Sequence, residues 1–214
     1  MNKLGAALFD LDGVVLDTER QYSIFWGEQG RIYHPEIPRF DIVIKGQTLA
    51  QIYEKHFAHI PEEQPVITAR LNEFERNMAY TYIKGAEEFL LKLRKEGIPT
   101  ALVTSSNDQK MRAVYQSHPE LKDYFQAWIT ADKVTHSKPH PECFLLGAES
   151  LGVAPERCIV FEDSLHGLAA ARAAQTKVVA LATTYPADGL QGRGDMIIPD
   201  FQALSVSSLE QALF

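Results

Sequence analysis

Short apolar runs recur along the chain at Ala6 to Phe9, Thr100 to Val103, Ala127 to Thr130, Cys158 to Phe161, Val178 to Leu181 and Met196 to Ile198. Each has the length of one strand and lacks polar alternation, which predicts strands buried on both faces. Between them, Glu87 to Lys95, Gln109 to Gln116, Glu142 to Leu151 and Leu165 to Ala174 carry apolar residues at helical period. Strand alternating with helix predicts an α/β fold with a Rossmann-like parallel sheet. The last helix contains Ala169, Ala170, Ala171, Ala173 and Ala174, small side chains that let its backbone lie close to a sheet.

The alternation breaks between Thr18 and about Lys84, where helical patterns occur without a buried strand. Tyr22, Phe25 and Trp26 form an aromatic stripe at i, i+3 and i+4, and Leu71, Phe74 and Met78 form a second apolar face. Both read as packing surfaces. Pro35, Pro38, Pro61 and Pro65 mark connections. The expected organisation is a core domain of residues 1–17 and 85–214, with residues 18–84 inserted as a small helical unit.

The 214 residues are 45% hydrophobic and 23% charged, a globular composition. Twenty-eight acidic against 21 basic side chains give a net charge of −7, which disfavours a nonspecific hold on nucleic acid. The two cysteines, Cys143 and Cys158, lie in apolar runs outside any metal-ligand spacing and are expected to be buried free thiols. The opening Met1-Asn2-Lys3-Leu4 reaches Asp10 and Asp12 too soon for a signal peptide, and no run is long enough to span a membrane. The cytoplasm is therefore the expected location and a monomer the expected state.

Strand one ends in Asp10-Leu11-Asp12-Gly13, presenting two carboxylates at i and i+2. A second acidic pair, Glu162-Asp163, follows Ile159-Val160-Phe161. In an open α/β sheet, strand carboxyl ends converge on one ligand site. Carboxylates gathered there repel one another unless a cation joins them, and an all-oxygen set suits Mg2+. Thr104 and Ser105 follow a third strand, and Lys138 follows a fourth. A hydroxyl, turn amides and an ammonium are what a phosphate requires.

In this order, Asp10-x-Asp12-Gly13-Val14, Thr104, Lys138-Pro139 and Glu162-Asp163-Ser164 resemble the four motifs of the haloacid dehalogenase superfamily. The tracts Phe9 to Glu19 and Phe161 to Gly167 are similar to its beta-phosphoglucomutase-like phosphatase branch. The resemblance implies a haloacid dehalogenase-like core with a cap inserted between the first two motifs. It implies Asp10 as a nucleophile forming an aspartyl phosphate, Asp12 as general acid and base, and Thr104, Ser105 and Lys138 as phosphate binders. Mg2+ would be held by Asp10, the backbone carbonyl of Asp12, Glu162 and Asp163. The substrate would be a small phosphorylated metabolite, with a sugar phosphate expected.

Dehalogenation is disfavoured, since the family's dehalogenases lack the second Asp. In mutase members a cap-loop Gly is followed closely by an Arg that grips a remote phosphate. Here Lys45-Gly46-Gln47-Thr48 is followed by Leu49, favouring hydrolysis over phosphomutase chemistry. Other readings are a non-catalytic phosphometabolite binder, and phosphonate cleavage through a Schiff base on Lys45. Lys84 and Gln175 stand where the family often has Pro and Gly, implying local changes of geometry. His136 and His140 are four apart, but Pro139 and Pro141 interrupt the segment, so the spacing does not place them on one helical face as zinc ligands. His166 is expected as an exposed residue at a helix start.

Overall fold

The structure is a computed structural model that describes residues 3–214. The first two residues of the expected core segment lie outside the described residues. Strands β1 (Ala6–Phe9), β2 (Thr100–Val103), β3 (Ala127–Ile129), β4 (Cys158–Glu162), β5 (Lys177–Leu181) and β6 (Met196–Ile198) form one sheet in the order β3-β2-β1-β4-β5-β6. Every neighbouring pair is parallel. The helices are α1 (Glu19–Tyr33), α2 (Phe40–Val43), α3 (Leu49–Ile52), α4 (Gln64–Asn77), α5 (Ala86–Lys95), α6 (Asp108–Ser117), α7 (Leu121–Tyr124), α8 (Glu142–Ser150), α9 (Leu165–Ala173) and α10 (Val206–Leu213).

Successive strand residues point to opposite faces, and the core is divided accordingly. Phe9, Leu102, Phe161 and Val179 pack with α5, α6 and α10 on one side. Leu8, Val103, Val160 and Ala180 pack with α8 and α9 on the other. The expected two-sided burial holds for β1, β2 and β4 but not for the edges: β6 is half-buried throughout, as is Trp128 of β3. A strand with one neighbour and incomplete helical cover keeps part of its surface in solvent.

The register aligns the strand ends. Phe9 stands opposite Leu102 in β2 and Phe161 in β4, so Asp10, Val103 and Glu162 reach the same level. The chain runs outward through β2 and β3, then returns to place β4 beside β1. The β1/β4 boundary is thus the point where connections diverge to opposite sides, the usual place for a ligand crevice.

Helices α1 to α4 enclose a separate apolar cluster that includes Phe25, Trp26, Phe40, Phe57 and Leu71. Gly30 lets α1 approach Phe40, because a Cβ there would lie 2.5 Å from that of Phe40. The chain enters and leaves this helical segment along adjacent paths. Asp17 N–H donates to Thr81 O at 2.7 Å, and Ile83 N–H to Val15 O at 2.9 Å.

At the end of α9, Gln175 adopts φ +62°. Its N–H donates to Arg172 O, and Thr176 N–H to Ala171 O, making a Schellman closure with a side chain where glycine is favoured. Gly85 takes φ +76°, and a Cβ there would meet the Gln202 backbone nitrogen at 2.7 Å. Cys143 and Cys158 are buried and free, with burial pushing both thiols up to about 11. No helix among the described residues is long and apolar enough to cross a membrane.

Candidate active site

Asp10, one residue beyond β1, lies beside Lys138, whose Nζ donates to its Oδ1 at 2.6 Å and to Glu162 Oε2 at 2.7 Å. Lys138 is only 3% exposed, so burial alone would discharge the ammonium; Asp10 and Glu162 outweigh that and raise its pKa. Burial likewise pushes the Asp10 carboxyl up to about 8 despite Lys138. Glu162 is fully buried, and both its oxygens are engaged: Oε2 by Lys138, and Oε1 by the N–H groups of Asp163 and Ser164 and by Ser164 Oγ–H. Its arrangement orients Lys138 and the α9 N-terminus, where Ser164 Oγ caps Gly167 N–H.

Asp163 differs. It accepts a hydrogen bond from the Thr184 hydroxyl but meets no lysine or arginine among the described residues. Burial, then Glu19, Glu162 and Asp10, drive its pKa well above the usual carboxylate range. Oxygens of Asp10, Glu162 and Asp163 lie within 4.8 Å of one another. A buried all-oxygen set with an uncompensated carboxylate fits a hard divalent cation. Gly13 allows this approach: it has φ +77°, and any Cβ would overlap the Asp163 carboxylate.

Asp12 faces the helical segment. Its carboxylate accepts from Lys110 Nζ, from Thr18 Oγ1, and from Ser106 Oγ at 3.0 Å. Burial alone would raise its pKa, but Lys110, through charge and hydrogen bond, holds it below the usual value, helped by both hydroxyls. Lys110 also lies 4.5 Å from the centre of the Tyr22 ring, and Tyr22 OH donates to Glu75 at 2.8 Å. Thr104 Oγ1 accepts from Ser106 N–H at 3.0 Å, shaping the turn after β2.

The expected cap residues also reach this place. Lys45 Nζ pairs with the Glu19 carboxylate, and Ser105 Oγ lies 3.5 Å from Gly46 O. Gly46 has φ +76°, and a Cβ there would stand 2.7 Å from Ser164 Oγ. His166, expected to be exposed, is instead half-buried, with Nδ1 3.1 Å from Lys45 O, because the 45–47 loop rests on it. A cavity of about 550 Å3 lies between the strand ends and α1 to α4. Asp10, Asp12, Thr104, Ser105, Lys138, Asp163, Lys45 and Gly46 all line it. The exception is Glu162, which stands behind Lys138.

Sequence reasoning missed Lys110, Glu19, Glu75 and Thr184. Lys110 offers the one usable signal, since it shares a helical face with buried Val114 four residues on. His136 and His140 share no helix, as the prolines require, yet a turn before α8 brings them together with Glu142.

Parallel strand ends gathering carboxylates, a lysine and hydroxyls under a helical segment define a hydrolase of phosphate-handling type. A family model for haloacid dehalogenase-like hydrolases matches residues 4–175, and the chain belongs to that family, as a phosphatase of haloacid dehalogenase type. It is 31% identical to hexitol phosphatase A of Escherichia coli (strain K12), over 94% of this chain and 93% of that protein. It is also 31% identical to a fructose-1-phosphate phosphatase of the same organism, over 78% of this chain and 90% of that one. The fold matches beta-phosphoglucomutase from Clostridium difficile with a TM-score of 0.81 at 22% identity, covering 98% and 97% of the two chains.

Proposed function

We propose that this chain hydrolyses phosphate monoesters of small, neutral, hydroxyl-rich metabolites, sugar or polyol phosphates, through an aspartyl phosphate on Asp10 and with Mg2+ as cofactor. The observation that carries the reading is Asp10 held 2.6 Å from buried Lys138 and near the uncompensated Asp163, facing a cavity lined by the 45–49 loop. Relatives named for hexitol and fructose 1-phosphate support the substrate class. Residues 18–84 are the cap and residues 1–17 and 85–214 the core, a division supported by the separate apolar cluster of α1 to α4. All these groups come from one chain, consistent with a monomer.

Asp10 and Asp163, with the Asp12 carbonyl, would hold the cation, with Glu162 beside them positioning Lys138. When bound, Mg2+ offsets the repulsion between a carboxylate nucleophile and an anionic phosphate. Asp10 attacks phosphorus as the bond to the leaving oxygen breaks, and Asp12 donates the proton that oxygen takes up. Lys110 favours the ionised carboxylate, so this donation requires Asp12 to turn from it. Asp12 then takes a proton from water, which attacks phosphorus and breaks the bond to Asp10. Lys138, the Thr104 hydroxyl and the turn at Ser105 neutralise the transferring oxygens.

The cavity argues against a second anionic group. Among the described residues no arginine lines it, and its lysines, Lys45, Lys110 and Lys138, are each paired with a carboxylate. A mutase must grip a remote phosphate, and a Schiff-base chemistry would require an unengaged Lys45. Conversely, the buried Gln47 Oε1 has no partner in the cavity wall, an acceptor suited to a substrate hydroxyl. The experiment is phosphate release from a panel of sugar phosphates, sugar bisphosphates, nucleotides and phosphonates, with Mg2+ or with chelator. The expected result is chelator-sensitive release from sugar or polyol monophosphates, abolished by Asp10→Asn. Substantial activity in folded Asp10→Asn removes the nucleophile assignment, and turnover confined to bisphosphates overturns the substrate class.

A further inference from the structure

The turn carrying Lys138 has an outer face that the phosphate chemistry leaves unused. Thr135, Ser137 and Lys138 line the cavity. His136 and His140 do not, and their side chains are 62% and 51% exposed. Glu142, the first residue of α8, reaches back to them. Its Oε1 accepts from Thr135 N–H at 2.7 Å and its Oε2 from His136 N–H at 2.8 Å, which fixes the carboxylate.

Oε2 lies 2.8 Å from His136 Nδ1 and 3.9 Å from His140 Nδ1. The two imidazole rings are 4.6 Å apart, and the Glu142 N–H points to His140 Nδ1 at 3.3 Å. One donor atom from each side chain falls within 4.8 Å of the others. Ligand atoms ~2.0–2.1 Å from a tetrahedral ion stand ~3.3 Å from one another. The two carboxylate–imidazole separations bracket that value and the third lies within 4.8 Å, so side-chain rotation can bring all three donors onto one ion.

We infer that His136, His140 and Glu142 form a surface site for a divalent transition metal of the zinc class, separate from the carboxylate cluster at Asp10. Two imidazoles and one carboxylate are a borderline donor set that prefers Zn2+ to Mg2+, whereas the all-oxygen cluster has the opposite preference. The backbone donors on Glu142 supply the outer-shell orientation that metal carboxylates require. Pro139 and Pro141 flank His140 and restrict its backbone, which lowers the ordering cost of ligation. The exposed side of the cluster leaves room for water as a fourth ligand. An ion there fastens the outer face of the turn to the start of α8, behind Lys138.

The test is calorimetric titration of ZnCl2 into the full chain saturated with Mg2+, so that the carboxylate cluster is already filled. One zinc equivalent per chain is expected in the wild type. His136→Ala and His140→Ala should each weaken it ~10-fold or more, since outer-shell changes alone cost 10–100-fold. Both residues are exposed, so the variants should fold, as circular dichroism will report. Zinc should raise the melting temperature of the wild type but not of the double variant, and Co2+ should give tetrahedral visible absorption only in the wild type. Equal zinc affinity in the wild type and the double variant, or no zinc binding by the wild type, overturns the site.

Discussion

Lys110→Met isolates the electrostatic control of Asp12. Methionine keeps an unbranched apolar side chain of similar length while removing the charge that pairs with the carboxylate and lies over the Tyr22 ring. Two unit charges ~4 Å apart at an effective dielectric near 20 interact by about 4 kcal/mol, and one pKa unit corresponds to about 1.36 kcal/mol. That corresponds to roughly three units, and a cation in contact with an aspartate typically supplies about one to three. Asp12 is 16% exposed, so little of the effect is screened by solvent. The variant should therefore raise the Asp12 pKa by about one to three units. With p-nitrophenyl phosphate, whose leaving group departs without a proton, turnover should report the water activation proposed for ionised Asp12. The acid limb of its kcat–pH profile should move upward by about one to three pH units. With a sugar phosphate, where the leaving oxygen needs a proton, the alkaline limb should move upward too. Lys110→Arg should restore much of the wild-type profile. A folded Lys110→Met enzyme whose limbs superimpose on the wild type would refute the assignment of Lys110 as the group that sets Asp12.

Two further outcomes concern stability. Burial pushes Asp10 up to about 8 and Asp163 upward as well, so without metal the folded chain retains protons that the unfolded chain releases above ~4. Their contribution is complete below ~4 and is lost as pH rises toward 8, so the increase in melting temperature given by Mg2+ over chelator should grow from pH 5 to 8. An increment independent of pH would contradict the ligand assignment. Gln175→Gly should stabilise the chain by up to ~1 kcal/mol, or about 2–4 °C, by relieving a left-handed residue at the end of α9. An unchanged or lowered melting temperature would show that the Gln175 side chain compensates for its backbone.

What the sequence reveals and what it hides divide along the range of the interactions. The strands are legible because their apolar runs are too short for buried helices and alternate with helix-period segments, and the residue that ends such a run then lies at the sheet's rim. Local pattern therefore puts Asp10, Thr104, Glu162 and Asp163 at strand ends, which is where they stand in the fold. The helices α5, α6, α8 and α9 follow from their period, whereas four-residue α7 offers too few turns to show one. The pairings that tune the site have no local signature. Lys138 meets Asp10 across 128 residues, and Lys110 meets Asp12 across 98. The face it shares with Val114 marks Lys110 as turned inward, but nothing local says which carboxylate it meets. The same limit hides the meeting of His136, His140 and Glu142, since the prolines that forbid a helix give no indication of how tightly the turn closes. Local pattern thus places the strand-end carboxylates, while their protonation depends on partners that only the folded chain brings close. Substitution of Lys110, Glu19 or Glu75 should accordingly alter pH dependence more than fold, because each lines the cavity rather than the apolar clusters.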